Sequence, residues 1–157
     1  MSALPLQGIK ILDLTRVLAG PLSAQMLGDL GAEVIKIERP GGGDDARAFG
    51  PPYLADPDGR HNNNNSFYLC ANRNKKSVVL DLKTEGGKAA LRKLAGTAQV
   101  LIHNMRQDAL DKLGFGFDAV RAINPELIYC AAVGFGKDGP YAGQPAYDDV
   151  IQAASGV

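Results

Sequence analysis

Three cations are placed where chemistry could happen. Arg39, Lys83 and Arg106 each follow a stretch that reads as a β-strand. Ligands of an open parallel sheet bind outside the carboxyl ends of the strands, so the three would share one edge. There they could hold phosphate through charge-assisted hydrogen bonds. A second feature agrees with them. The turn Leu18-Ala19-Gly20 precedes Pro21 and an apolar helical run, so it offers backbone N–H groups where a helix start favours an anion. A solvated rim explains each cation singly. Together with the turn they point to a phosphate-bearing ligand.

Other reactive residue types suggest less. Asp13, at the end of the first predicted strand, reads as structural, and capping explains Asp148 and Asp149 at a helix start. His61 and His103 are too few for a histidine metal centre. No G-x-S-x-G elbow supports a serine nucleophile. Cys70 and Cys130 have no metal-ligand spacing and are expected to be buried free thiols of a reducing compartment. A nicotinamide fold is disfavoured, because Gly20 stands alone where G-x-G-x-x-G would follow the first strand. Glu38 nevertheless sits where a ribose-binding carboxylate would. The GFG at 134–136 is broken by Asp138-Gly139-Pro140 before any helix.

The elements that must position these residues follow from periodicity. Ile9–Leu14 is an apolar, branched run. Pro21 suits the first position of a helix, Leu22, Met26, Leu27 and Leu30 recur at helical spacing, and Gly31 suits a left-handed cap. Ala32–Glu38 completes a βαβ unit with a right-handed crossover. Residues 40–67 are rich in Gly, Pro, Asp and Asn and read as a long mobile loop, with Asn62–Asn65 disordered. Strands are expected at Ser77–Leu82, Val100–His103 and Leu127–Val133, the last fully buried. Helices are expected after Thr84, over Asp108–Leu113 and Phe117–Ile123, and from Asp148 to Ser155, the last preceded by a glycine-rich loop at 134–147.

This order predicts an α/β fold, a mostly parallel, doubly wound sheet flanked by helices. The 157 residues fit a single domain. Seventeen basic and seventeen acidic residues cancel, which argues against general attraction to nucleic acid or membrane. With no signal peptide pattern and no long apolar run, a cytoplasmic protein is expected.

The same residues carry a family likeness. DLTRVLAGPLSAQMLGDLGAEVIKIERPGGGD, NRNKKSVVLDLKTEGG, VLIHNMRQDALDKLGFG, NPELIYCAAVGFGKDGPY and AYDDVIQAASG occur in that order between Leu6 and Val157. The chain resembles the amino-terminal part of class III CoA-transferases, the family of formyl-CoA transferase and carnitine CoA-transferase. The resemblance implies a Rossmann-like domain, incomplete relative to the family, and an interlocked homodimer. It also implies transfer of CoA from an acyl-CoA donor to a small carboxylic acid, without a bound metal. Carried over by motif, the CoA contacts would be Leu18, Ala19, Arg39, Leu80, Asp81, Leu82, Lys83, Asn104, Met105, Arg106, Lys112, Tyr147 and Asp148. Lys112 stands where formyl-CoA transferase has an arginine.

The superfamily also includes α-methylacyl-CoA racemases, whose base is a histidine of a G-H-D-type motif. Here Ala146-Tyr147-Asp148 matches it, and a tyrosine near pKa ~10 is a poor base, which favours a transferase. The family's nucleophile, an aspartate forming acyl-anhydride intermediates, is expected beyond Val157, so no catalytic residue is nominated and the chain alone is expected to be inactive. A non-catalytic CoA- or nucleotide-binding module and a remnant without binding are the alternatives. Uncovered apolar faces would make the chain self-associate.

Overall fold

The computed structural model describes residues 3–156. Its centre is a five-stranded sheet built from β1 (Lys10–Leu14), β2 (Glu33–Glu38), β5 (Lys75–Val79), β6 (Val100–His103) and β7 (Ile128–Ala131). The strand order is β5-β2-β1-β6-β7, and all four ladders are parallel.

Register pairs Asp13 with Lys36 across β1 and β2, Leu12 with Leu101 across β1 and β6, and Ile102 with Cys130 across β6 and β7. Numbered among themselves the sheet strands run 3-2-1-4-5, so the order reverses between β1 and β6. That reversal opens a crevice at the carboxyl ends of the strands.

Both faces of the three central strands, β2, β1 and β6, are covered, as strands buried on two sides require. On one face Leu12, Leu14, Ile35, Ile37 and Leu101 pack with Leu91, Ala95, Leu110, Phe115 and Val120. These last come from α3 (Glu85–Ala95), α4 (Gln107–Leu113), α5 (Phe117–Ile123) and the turn between α4 and α5. On the other face Ile11, Val34 and Ile102 pack with Ala24 of α1 (Ala19–Asp29).

Helix α1 departs from the sequence expectation. It begins two residues earlier, which makes Pro21 its third residue, and it buries Gly20, Pro21, Ala24 and Gln25. The stripe of Leu22, Met26 and Leu30 faces outward, with Met26 60% exposed, while Leu27 packs inward. Small residues win because the helix lies close to the chain beneath it: a Cβ on Gly20 would meet the Thr15 side chain at 2.6 Å. Gly31, just past the helix, has the expected positive φ.

Residues 40–67 hold secondary structure. A 3₁₀ turn (Asp45–Ala48) and an antiparallel hairpin of β3 (Tyr53–Ala55) and β4 (His61–Asn65) lead into α2 (Ser66–Cys70). The asparagine run, expected to be disordered, forms most of β4. Asn65 is buried, its Oδ1 accepting from the Tyr68 N–H at 2.8 Å and its Nδ2 donating to the Ala46 carbonyl at 2.8 Å.

Later elements fall near their expected places. Thr84 caps α3, accepting from the Gly87 N–H at 3.1 Å, and α4 ends at Gly114 in the left-handed region. Strand β7 is not fully buried: it is the edge of the sheet, and Ile128 is 64% exposed. Helix α6 (Asp148–Ser155) buries none of its residues. Cys70 and Cys130 are free but exposed, against expectation, because one ends the short α2 and the other lies on the edge strand. Among the described residues no helix is long and apolar enough to cross a membrane.

Candidate functional site

A cleft with about 770 Å³ of empty space, counting solvent at its mouth, opens over the carboxyl ends of β5, β2, β1 and β6. Its apolar floor is Leu14, Ile37, Leu80, Leu82, Met105 and Leu113. Arg16, Arg39 and Lys83 supply cations around it, while Thr15, Lys36, Glu38, Gly43, Asp44 and Asp81 complete the lining. Parallel strands deliver these residues together because each ladder aligns the strand ends, and the segments leaving them must turn over the same edge.

Of the positions nominated from sequence, Arg39, Leu80, Asp81, Leu82, Lys83 and Met105 line the cleft. Leu18 and Ala19 are exposed at the start of α1, next along the chain from the cleft-lining Thr15 and Arg16. Asn104 lies beside the cleft with both ends of its amide bound to Arg16: Oδ1 accepts from the Arg16 N–H at 3.0 Å and Nδ2 donates to its carbonyl at 2.8 Å. Arg106 and Lys112 are exposed at the cap and in the last turn of α4, outside the lining. Tyr147 and Asp148 are exposed at the start of α6 and do not line it either.

Sequence reasoning missed Arg16, Lys36 and Asp44. For Arg16 the signal was present, since it follows the end of β1 as Arg39 follows β2. Asp45 joins the two guanidinium groups, with Arg16 Nη1 at 3.0 Å and Arg39 Nη2 bonded to its other oxygen. These side chains are 41% and 57% exposed, so the pairs are screened and an incoming anion can compete with Asp45.

Behind the cleft wall the chain buries charge. Lys36, whose side chain is 1% exposed, lies 2.8 Å from Asp44 and 4.0 Å from Asp13, and donates to the Thr15 carbonyl at 2.9 Å. Lys75 meets Asp13 at 2.7 Å and also donates to the Pro21 carbonyl and Asn72 Oδ1. Burial pulls Lys75 below its ordinary pKa, although Asp13 opposes the shift. Asp13 is therefore structural, as its position suggested.

Glu38 anchors a second set. Arg47 grips it with Nε and Nη2, each at 2.7 Å, Ser77 Oγ donates at 2.7 Å, and the Asp44 N–H donates at 2.9 Å. Gly43 allows that approach, because a Cβ there would collide with Glu38 Oε2. Burial alone would raise the Glu38 pKa, but these donors outweigh it and hold the carboxyl at about 2. The same burial and the Glu38 charge push Tyr68 up. Glu38 is thus committed to Arg47, which leaves it a poor match for a ribose hydroxyl.

His103 does not line the cleft. His103 is buried against Tyr129, with ring centroids 5.1 Å apart, and burial lowers its pKa. The His61 side chain lies outside the described residues.

A parallel α/β sheet with an apolar, cation-flanked cleft over the carboxyl ends of its strands has the geometry in which open α/β proteins bind ligands. Comparison with known proteins narrows the class. The CoA-transferase family III model matches residues 6–157, and this chain belongs to that family. It is 50% identical over 152 residues to the succinate–glutarate CoA-transferase of Agrobacterium fabrum, covering 97% of this chain and 38% of that protein. It is 44% identical over 153 residues to the human succinyl-CoA:glutarate CoA-transferase, covering 98% of this chain and 33% of the relative. Among solved structures, a CAIB/BAIF family protein from Brucella suis superposes with a TM-score of 0.91 at 43% identity, covering 99% of this chain and 40% of that one. The chain spans about a third of the length of these curated relatives.

Proposed function

We propose that this chain supplies much of the CoA pocket of an enzyme that moves CoA from an acyl-CoA donor to a small carboxylic acid. The cleft carries the reading. Its apolar floor suits the non-polar parts of CoA, and Arg16, Arg39 and Lys83 suit the phosphates. Leu18 and Ala19 at the start of α1, and Leu80 to Lys83 after β5, contribute backbone and side-chain contacts. Met105 contributes from the lining, Arg106 and Lys112 extend the site along α4 beyond it, and Tyr147 and Asp148, at the start of α6 and outside the lining, are further proposed contacts. The chemistry runs through an aspartyl acyl-anhydride, with the nucleophilic aspartate beyond Val157 and the working unit a homodimer. Relatives named for succinate, glutarate and oxalate favour a short dicarboxylate as acceptor.

Calorimetric titration of the 157-residue chain with CoA and, separately, NADPH tests the reading. Saturable heat with CoA and none with NADPH is expected. Binding of NADPH alone returns the cleft to a nicotinamide site. In a mixture of acyl-CoA and carboxylates the chain alone is expected to give no exchange, and sustained enzyme-dependent exchange contradicts the placement of the nucleophile.

A further inference from the structure

The turn between β1 and α1 is held in a conformation its own residues disfavour. Val17 has φ +73°, and among the described residues it shares a positive φ outside glycine with Asn74 alone. Asparagine tolerates that region, whereas a β-branched residue there is a true outlier. Such a conformation persists where its surroundings over-determine it.

The surroundings do so from four directions. The Thr15 N–H donates to Asp13 Oδ1 at 2.9 Å, and the Thr15 carbonyl accepts from Lys36. Asn104, from the end of β6, takes both the N–H and the carbonyl of Arg16. Asp44, from the loop after β2, accepts the Val17 N–H at 2.9 Å and is itself fixed by Lys36 and by its own N–H on Glu38. The next residue, Leu18, caps α1 with no side-chain hydrogen bond of its own. The direction of the helix start is therefore set by the strained turn and by the side chains that fasten it.

We propose that Asn104 and Asp44 are positioning residues that hold Val17 left-handed and so aim the start of α1 at the phosphate-bearing ligand. The proposal rests on the CoA reading above and assigns Asn104 a different role within it. Its amide is spent on the Arg16 backbone, so it acts on the ligand through the turn. Without the clamp Val17 relaxes to negative φ, and affinity falls by the fraction of molecules that leave the competent state.

A double-mutant cycle separates this from direct contact. Asn104→Ala is expected to weaken CoA binding on the order of tenfold. Adding Val17→Gly, which takes positive φ without strain, is expected to recover several-fold relative to Asn104→Ala, with Val17→Gly alone as the reference. A contact residue gives no such rescue, and additive or worse binding in the double variant overturns the proposal. Asp44→Asn keeps the acceptor for the Val17 N–H and is expected to bind more tightly than Asp44→Ala; equal loss overturns the role of Asp44. Amide hydrogen exchange on the ligand-free wild-type chain reads the clamp without CoA. Protected Arg16 and Val17 amides are expected, and fast exchange at both overturns the clamp. Protected amides in a chain that fails to bind CoA overturn instead the CoA reading, and with it the positioning role.

Discussion

The amino-terminal half and the last thirty residues differ in what they bury. Around β1, β2 and β5 the chain buries Asp13, Lys36, Glu38 and Asp44, each partnered. From Ile128 onward none of the described residues is buried, and Ile128, Val133, Tyr141, Tyr147 and Val150 lie open to solvent. Buried ion pairs are costly to assemble and costlier to break, so the first region should be rigid and intolerant of change. The second has few packed neighbours and should open locally at little cost. Rigid charge beside the cleft fits a site that must hold a ligand's phosphates in register. Exposed apolar surface fits a face that packs against something else.

Substitutions in the two regions should differ accordingly. The largest effect is expected at Asp13→Ala, which strips Lys75 of its carboxylate and should cost about 3–5 kcal/mol by chemical denaturation. A loss near that of a surface residue would mean the buried cluster is not a unit. Glu38→Gln comes next, at about 3 kcal/mol near neutral pH, since the carboxyl falls from 4.5 to about 2 on folding. The sign follows from the depression: this stability is present above pH 4.5 and is lost as pH falls toward 2. A pH series of denaturation midpoints should be flatter for the variant across that window. Arg39→Ala should leave the midpoint nearly unchanged, because its pair with Asp45 is exposed, yet weaken CoA binding about tenfold. Unchanged affinity would return Arg39 to a solvated rim. Val150→Ser, in the open region, should shift stability by no more than about 0.5 kcal/mol. The exposed apolar groups should also make the chain associate, and a clean monomer by light scattering would weaken that side of the contrast.

How far the sequence was legible follows the same division. The parallel sheet and its helices could be read because their signals are local: the apolar, branched run of β1, Thr84 before α3, Gly114 after α4. Arg39 and Lys83 could be placed at the cleft because the rule behind them is topological, whereas Arg106, nominated by the same rule, lies outside its lining. Lys36 looked like one more charge in a strand, and its burial depends on Asp13 in the neighbouring strand and on Asp44 eight residues on. Asn65 and Arg47 looked like loop residues, because the carbonyls that Asn65 binds lie 18 or 19 residues away and Arg47's side-chain partners 9 to 21. Spacing on α1 identified an apolar stripe but could not say which side the sheet would take, and the close approach at Gly20 decided it. The exposure of β7 depends on its having no strand beyond it among the described residues, which LIYCAAV does not encode.

The proposed role of the chain depends above all on the cleft over β5, β2, β1 and β6 being the CoA site. Amide spectra of the isotope-labelled chain, recorded through a CoA titration, check this residue by residue. The amides of Leu18 to Gly20, Arg39 and Leu80 to Lys83 are expected to shift together and to saturate at one concentration. Shifts confined to residues 128–156, or none at saturating CoA, would contradict it.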